Sequence, residues 1–525
     1  MTEKPRSSTK NESEVARAGE AAFPKEVAFP KAVAFPKAVA FPKEVARPKA
    51  AARQNVRVVF HALSAGGEGV GRDDAGKTVF APFAVPGDVA FIDIRTEKPS
   101  FARGMIREIE TESSHRIAPR CPQFRPESPE ISCGGCSWQH VGLRVQREAK
   151  REIVRNALSR IGGQSVEVEA TRGGEGFRYR NKADFVLGHA KSASNSTKNE
   201  AQIGFFASSS HDLIDAKVCP IQATKNEEVL QAAREILREN PDFAFDIHSG
   251  RGVWRRLIVR VSSAGEGLAV LVTTNEAAKN SDRIRQIAHR LRDKTPHLVG
   301  VLALAPRGEA HTIWGRDFLM ESVNGLEFRV SGAGFWQVNP EISPLLARAA
   351  LEMCEVKPGE TALDLFCGAG LFALHLAREG ARVTGIEFGA GAVRDAIWNA
   401  KHNNLNAQFR AGDAARALKR FGRGDFDLVL LDPPRAGALD CLDSLLEIAP
   451  RRIVYVSCDP ATLARDAKVL CRGGYRLSRA IPFDLFPQTA HVEVVARFDR
   501  GQKIGPDARF ESSDFSVIRD DISPA

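Results

Sequence analysis

Between residues 341 and 498 short apolar runs alternate with stretches long enough for helices: TALDLF, ARVTGIE, FDLVLLD and RIVYVS each precede such a stretch. This interleaving predicts a doubly wound, Rossmann-like sheet with a mainly parallel core. From Asn55 to Ile109 the texture differs. VRVVFHAL, TVFAPFAV, PGDVAFIDI and FARGMIREI are β-branched runs separated by glycine turns such as GGEGVG, the pattern of a small antiparallel barrel. From Cys219 to about Val330, strands such as RRLIVRVSS and LAVLVTT alternate with the helix around DRIRQIAHRLR, an α+β region. Residues 22–51 repeat AFPKEV, AFPKAV, AFPKAV, AFPKEV and ARPKAA, and a proline in every unit forbids regular helix or sheet. The expected organisation is a disordered arm over residues 1–53, a barrel over 54–112, a central α+β region over 113–330, a doubly wound domain over 331–499 and a polar tail over 500–525.

Composition narrows the class. With 43% hydrophobic and 26% charged residues, and no run near the roughly 20 apolar residues of a membrane helix, the chain reads as soluble rather than membrane-bound. Its polar first residues lack an apolar segment with a cleavage site, so a cytoplasmic location is expected. No feature of the sequence points to an obligate protein partner. The net charge of +9 suits an acidic partner such as nucleic acid, but residues 1–53 supply +5 of it. RNA recognition in the folded part must therefore rest on placed residues. Nine cysteines in a cytoplasmic chain argue for metal binding or catalysis over disulfides.

Chemistry concentrates at the ends of the predicted strands. Cys367-Gly368-Ala369-Gly370 closes the first strand with glycines that let a ligand approach the backbone. The second strand ends in Glu387, placed to accept both hydroxyl protons of a ribose, which fits NAD and S-adenosylmethionine alike. Asp413 in AGDA can reach an adenine amino group. The fourth strand separates the two cofactors: Asp432 precedes Pro433 and Pro434, a pattern common in methyltransferases that act on planar nitrogen-bearing rings. Cys458 ends the fifth strand, and uracil C5 needs thiolate addition at C6 before it can accept a methyl group. After transfer a base must remove the C5 proton, and Glu493, two residues after His491 in PQTAHVEVVA, is the candidate. Four further cysteines, Cys121, Cys133, Cys136 and Cys219, have spacings that suit either an iron–sulfur cluster or zinc. FRYRNK at residues 177–182 interleaves aromatic and basic residues, as stacking plus phosphate contact or as a solvated strand face.

LDLFCGAG, LDPPR, SCDPATLARD and PQTAHVE occur in an order that resembles the S-adenosylmethionine-dependent RNA 5-methyluridine methyltransferases, and GFWQVNP at residues 334–340 resembles the segment preceding their donor fold. The resemblance implies that Gln337, Phe366, Glu387, Asp413 and Asp432 bind the methyl donor, with Cys458 the nucleophile and Glu493 the base. Leu371 stands at a further donor-site position, where well-known members carry Asn. Phe335 is placed either to stack on the target base or to fill the core. CGGC with a later CPIQ resembles branches of the family that carry a [4Fe–4S] cluster, so the four cysteines are expected to hold one, with zinc as the second candidate. The gap from Cys121 to Cys133 is wider than the family's. Residues 55–109 resemble the TRAM domain, an OB-like RNA-binding barrel, although 7 basic face 9 acidic residues between Gln54 and Glu112. The expected fold is therefore a multidomain α/β chain with a TRAM-like barrel, a central region carrying the four-cysteine cluster and a methyltransferase domain. The expected activity is methylation of uridine C5 in RNA. The pairing of barrel and cluster points to 23S ribosomal RNA, with transfer RNA as the alternative substrate and a non-catalytic RNA-binding or iron–sulfur protein as the distant one.

Overall fold

A computed structural model describes residues 53–189, 200–208, 210–246, 249–275, 281–306, 310–332 and 334–501. The hexapeptide repeats and nearly all of the polar tail lie outside the described residues. Among the described residues no helix is long and apolar enough to cross a membrane.

The first described strands close into a five-stranded barrel in the order Arg53–Leu63, Gly69–Asp73, Thr78–Ala81, Phe101–Thr111 and Val89–Glu97. Alternation along each strand sends Val58, Phe60, Val79, Ala81, Ile92, Ile94 and Ala102 into one apolar core. The expected all-antiparallel barrel is corrected at one ladder: Thr78–Ala81 runs parallel to Phe101–Thr111. The strand Val89–Glu97 intervenes between them in sequence but pairs on the other side, which closes the barrel.

A seven-stranded sheet occupies the centre, in the order His311–Gly315, Leu298–Leu304, Gly267–Thr273, Trp254–Val261, Lys182–His189, Ala201–Phe206 and Leu213–Asp215. The helices Thr224–Glu239 and Asp282–Lys294 bury their apolar stripes on one face of it.

The C-terminal sheet has eight strands, ordered Ala407–Ala411, Arg382–Glu387, Thr361–Leu365, Leu428–Leu431, Arg452–Ser457, Glu493–Arg500, Tyr475–Asp484 and Arg172–Gly173. The first five are parallel, and Glu493–Arg500 runs antiparallel between its two neighbours. Successive residues face opposite ways, so Leu363 and Leu365 enter one core and Ala362 the other. The helices Leu439–Ile448 and Pro460–Arg472 cover the first face; Ser343–Cys354 and Leu371–Arg378 cover the second. Two upstream elements join this layer. The helix Leu143–Arg160, which lies in the stretch read as central, packs on Pro460–Arg472 and on Tyr475–Asp484, and Arg172–Gly173 extends the sheet edge. A buried ion pair between Lys150 and Asp484 pins that helix to the sheet.

Candidate active site

Register places the expected donor residues side by side. Leu365 is level with Ile386 and with Leu431, and Leu431 with Tyr455. Phe366, Glu387 and Asp432 therefore emerge together from the carboxyl ends of three adjacent strands, where open α/β sheets receive ligands. Phe366 sits at φ 62, followed by Gly368 at φ 54 and Gly370 at φ 90, so the chain turns sharply before the helix Leu371–Arg378. A Cβ on Gly368 would meet nothing within 4 Å, which marks open space above the turn. The Glu387 carboxylate accepts from the Gly368 N–H at 3.2 Å and the Gly389 N–H at 2.7 Å, fixing its direction beside this space. An oriented acid, a glycine turn and free room suit the ribose of a nucleoside donor. Asp413 caps the short helix Ala414–Leu418, accepting from Arg416 N–H at 2.9 Å, so one of its oxygens has a structural duty. Gln337 is buried, and the Leu371 side chain packs in the apolar core under the turn. Phe335 is 70% exposed, which sets aside its reading as a core residue.

Cys458 and Glu493 meet by the same logic. Ser457 pairs with Val494, so the next step of that antiparallel ladder brings Cys458 level with Glu493. Their surroundings raise both groups. Burial, then the nearby Glu493 and Asp432 carboxyls, push the Cys458 thiol up to about 12, with Arg435 opposing. Burial and then Asp432 push Glu493 up to about 8, again opposed by Arg435. Burial pushes Asp432 up to about 7. Arg435 Nη2 also donates to His491 Nδ1 at 3.5 Å, and burial followed by this guanidinium lowers His491 to about 4, leaving it neutral near pH 7. The site thus crowds a thiol and two acids around one guanidinium. An acid whose pKa approaches working pH is suited to accept and return a proton.

A family model described as tRNA (Uracil-5-)-methyltransferase matches residues 269–500, and a TRAM domain model matches residues 49–106. A protein named an uncharacterized RNA methyltransferase from Listeria innocua is 33% identical over 455 residues, 84% of this chain and 97% of its own. Another of that description, from Gloeobacter violaceus, is 35% identical over 461 residues, 85% of this chain and 97% of its own. The chain belongs to the RNA uracil-5-methyltransferase family. The fold agrees: the crystal structure of Pyrococcus abyssi tRNA (uracil-54, C5)-methyltransferase in complex with S-adenosyl-L-homocysteine superposes with a TM-score of 0.65 at 25% identity, over 84% of this chain and all of that one. This RNA (uracil-5-)-methyltransferase is an S-adenosylmethionine-dependent enzyme.

The methyltransferase also gathers its four early cysteines. Burial raises each thiol, and next-largest causes include the other cysteines: Cys219, Cys133 and Cys121 act on Cys136, and Cys133 and Cys121 act on Cys219. Cys121 acts likewise on Cys133, so all four are mutual neighbours. The Gln139 amide donates to Cys136 Sγ at 3.3 Å and the Gly135 N–H to Cys133 Sγ at 3.4 Å. Among the described residues, however, no group of three or more His, Cys, Asp or Glu side chains is drawn in as a metal ion would require. Donor chemistry fits a sulfur-ligated centre; the ligand set is not closed around one.

Three residues of the site escape motif reading. Arg435 carries the one guanidinium that opposes the acids at both Cys458 and Glu493, and its signal was its place directly after Pro434. Asp364 lies fully buried inside the first strand and accepts from the Ala373 N–H at 2.8 Å, tying the helix start to the sheet; a lone acid in an apolar strand was the available sign. Gln488, inside the PQTAHVE stretch, is 2% exposed at φ 70 and had no signal of its own.

Proposed function

We propose that this enzyme methylates C5 of a uridine in 23S ribosomal RNA, using Cys458 as nucleophile and Glu493 as base. The observation that carries the reading is the levelling of Cys458 with Glu493 at neighbouring strand ends, beside Asp432 and the glycine turn. Phe366, Glu387, Asp413, Asp432 and Gln337, with the backbone at Leu371, form the donor site; the bound donor supplies an electrophilic methyl group on a sulfonium. Cys458 gives up its proton to solvent and Sγ adds to C6; the C5–C6 π pair becomes an enolate that makes C5 nucleophilic towards that methyl, and C5 takes the methyl as the donor's S–CH3 bond breaks. Glu493 then takes the C5 proton, the double bond reforms and the C6–S bond breaks. Net positive charge is lost as the methyl leaves the donor, so the site needs no metal at the reacting carbon. Cys121, Cys133, Cys136 and Cys219 are the residues that would hold a [4Fe–4S] cluster, with zinc the competing occupant.

Two considerations bear on the RNA. The barrel and the four cysteines occur together, as in the ribosomal branch that the sequence resembles. Transfer RNA is the second reading, favoured by the structural relative that acts on uracil 54 of transfer RNA. In either RNA the target base must leave its stack to admit a thiol on one side and a methyl on the other. Labelled donor with separated ribosomal and transfer RNA fractions decides between them, label in 23S RNA being the expected result. RNA containing 5-fluorouridine tests the chemistry: fluorine cannot leave C5 as a cation, so a methylated covalent adduct through Cys458 should accumulate. Turnover without any adduct would remove the nucleophile from this reading.

A further inference from the structure

The stretch that leads into Glu493 is held by residues more than 300 positions upstream. Three consecutive carbonyls are taken in turn. Lys150 Nζ donates to Phe486 O at 3.0 Å, Tyr179 OH to Pro487 O at 3.1 Å, and the backbone N–H groups of Ser137 and Trp138 both donate to Gln488 O at 2.9 Å. Gln488 is the centre of the arrangement. Its N–H donates to Gln146 Oε1 at 2.9 Å, Gln146 Nε2 returns a bond to Gln488 Oε1 at 2.9 Å, and Gln488 Nε2 donates to Gly176 O at 3.2 Å. Gln488 is 2% exposed and held at φ 70, a backbone state that non-glycine residues keep only where their surroundings over-determine it. From there to Glu493 the stretch is closely held: Thr489 N–H and Oγ1 donate to Phe486 O at 3.3 and 2.8 Å, Thr489 Oγ1 accepts from His491 N–H at 3.2 Å, Arg435 Nη2 reaches His491 Nδ1 at 3.5 Å, and Ala490 and Val492 are buried. A shift at Gln488 is therefore passed through a packed, bonded stretch of four residues to the carboxylate.

We propose that Gln488 is a positioning residue for proton abstraction, through which the helix Leu143–Arg160 and the residues just after Cys136 set where Glu493 meets the methylated pyrimidine. The inference rests on the reading of Glu493 as the base. The step it governs passes the C5 proton to a Glu493 oxygen, returns the C5–H electron pair to the C5–C6 double bond and releases Cys458 from C6. Methyl transfer precedes this and does not use Glu493. Loss of the clamp should thus slow resolution of the adduct while sparing its formation. Two of these carbonyls, those of Pro487 and Gln488, tie the cysteine-bearing segment mechanically to the catalytic end, since Ser137 and Trp138 directly follow Cys136 and Tyr179 packs with Cys219 and Cys136.

The experiment is single-turnover methylation with quenched samples resolved for free RNA, methylated RNA and covalent adduct, across pH. Gln488→Asn keeps a residue tolerant of positive φ but shortens the reach to Gln146. Gln146→Leu removes the partner from the other side, and Gly176→Ala leaves Gln488 unsubstituted but sets a Cβ 2.8 Å from its Nε2, which forces the amide to move. The expected result is adduct that forms at the wild-type rate but resolves about 10-fold to 100-fold more slowly. The pH dependence of resolution should move, and affinity for S-adenosylhomocysteine should stay the same. Resolution within about twofold of wild type in all three variants that fold would overturn the inference, as would an equal slowing of formation and resolution. Glu493→Gln is the control: if it traps adduct and the clamp variants do not, positioning alone fails; if it traps none, the base reading falls and the inference with it.

Discussion

At the scale of single residues, the chemistry turns on where protons sit. With its thiol pushed up to about 12, chiefly by burial and then by the carboxyls beside it, Cys458 rests protonated near pH 7. Arg435 and a bound sulfonium are the positive charges that can bring the thiol down as substrate arrives. Cys458→Ala should therefore abolish methyl transfer while S-adenosylhomocysteine still binds by calorimetry; residual turnover would reject the thiol. Glu493 held at about 8 must ionise before it can act, so adduct resolution should rise with pH through that value and level off above it. Glu493→Gln should lose that limb and slow resolution by about 10²–10⁴-fold. The same shift enters stability with the opposite sense. A carboxyl raised from 4.5 to about 8 on folding stabilises the protein fully below 4.5 and loses that contribution as pH climbs through 8. The Tm of the wild type relative to Glu493→Gln should fall across that window in the absence of RNA. Cys458, Glu493 and Asp432 were legible as a set because each stands at a strand end. Arg435 was not, since an arginine in a loop looks like any solvated charge until its neighbours are known.

At the scale of elements, the parallel strands were readable because apolar runs followed by helix-length stretches have few other uses. Partners across the sheet were not written locally. Nothing in TVFAPFAV announced that Thr78–Ala81 would pair parallel with Phe101–Thr111, nor in LRVQREAKREIVRNALSR that its buried Gln146 and Lys150 would serve the catalytic end of a sheet more than 300 residues later. The glycine turn offers a test at this scale, because its two glycines have separate reasons. Gly370 at φ 90 lies beyond the small left-handed region open to other residues, and a Cβ there would come within 3.2 Å of the Phe409 ring. Gly370→Ala should cost about 1–2 kcal/mol of stability in denaturant unfolding. Gly368 at φ 54 sits inside that region with open space above it. Gly368→Ala should leave unfolding closer to wild type yet weaken donor binding, since its methyl would project where the donor lies. The reverse ranking would place the donor elsewhere.

At the scale of the whole molecule, barrel, cysteine segment and C-terminal sheet are bonded into one assembly around Trp138. Its indole Nε1 donates to Gly67 O of the barrel at 3.0 Å, its N–H to Gln488 O, and it follows Cys136 by two residues. The four neighbouring cysteines at this junction, Cys121 and Cys219 buried and Cys133 and Cys136 half-buried, resist ionisation: Cys133 is pushed up to about 11, first by burial and also by Cys121, and Cys219 to about 12, first by burial and then by Cys133 and Cys121. Thiols raised in this way rest protonated; ionised together, four thiolates at this junction would need a compensating cation. In the reading proposed above, an iron–sulfur core would supply that charge, and the N–H donors on Cys136 and Cys133 are contacts of the kind that tune such cores. Anaerobically purified protein should therefore be coloured, with visible absorption that bleaches on reduction and iron and sulfide near four per chain, as the [4Fe–4S] stoichiometry requires. Cys121→Ser tests whether the widened gap to Cys133 still delivers its first ligand: absorption and iron content should drop if it does and persist if it does not. Colourless protein with stoichiometric zinc would refute the iron–sulfur assignment while leaving the mechanical tie from Cys136 to Gln488 untouched.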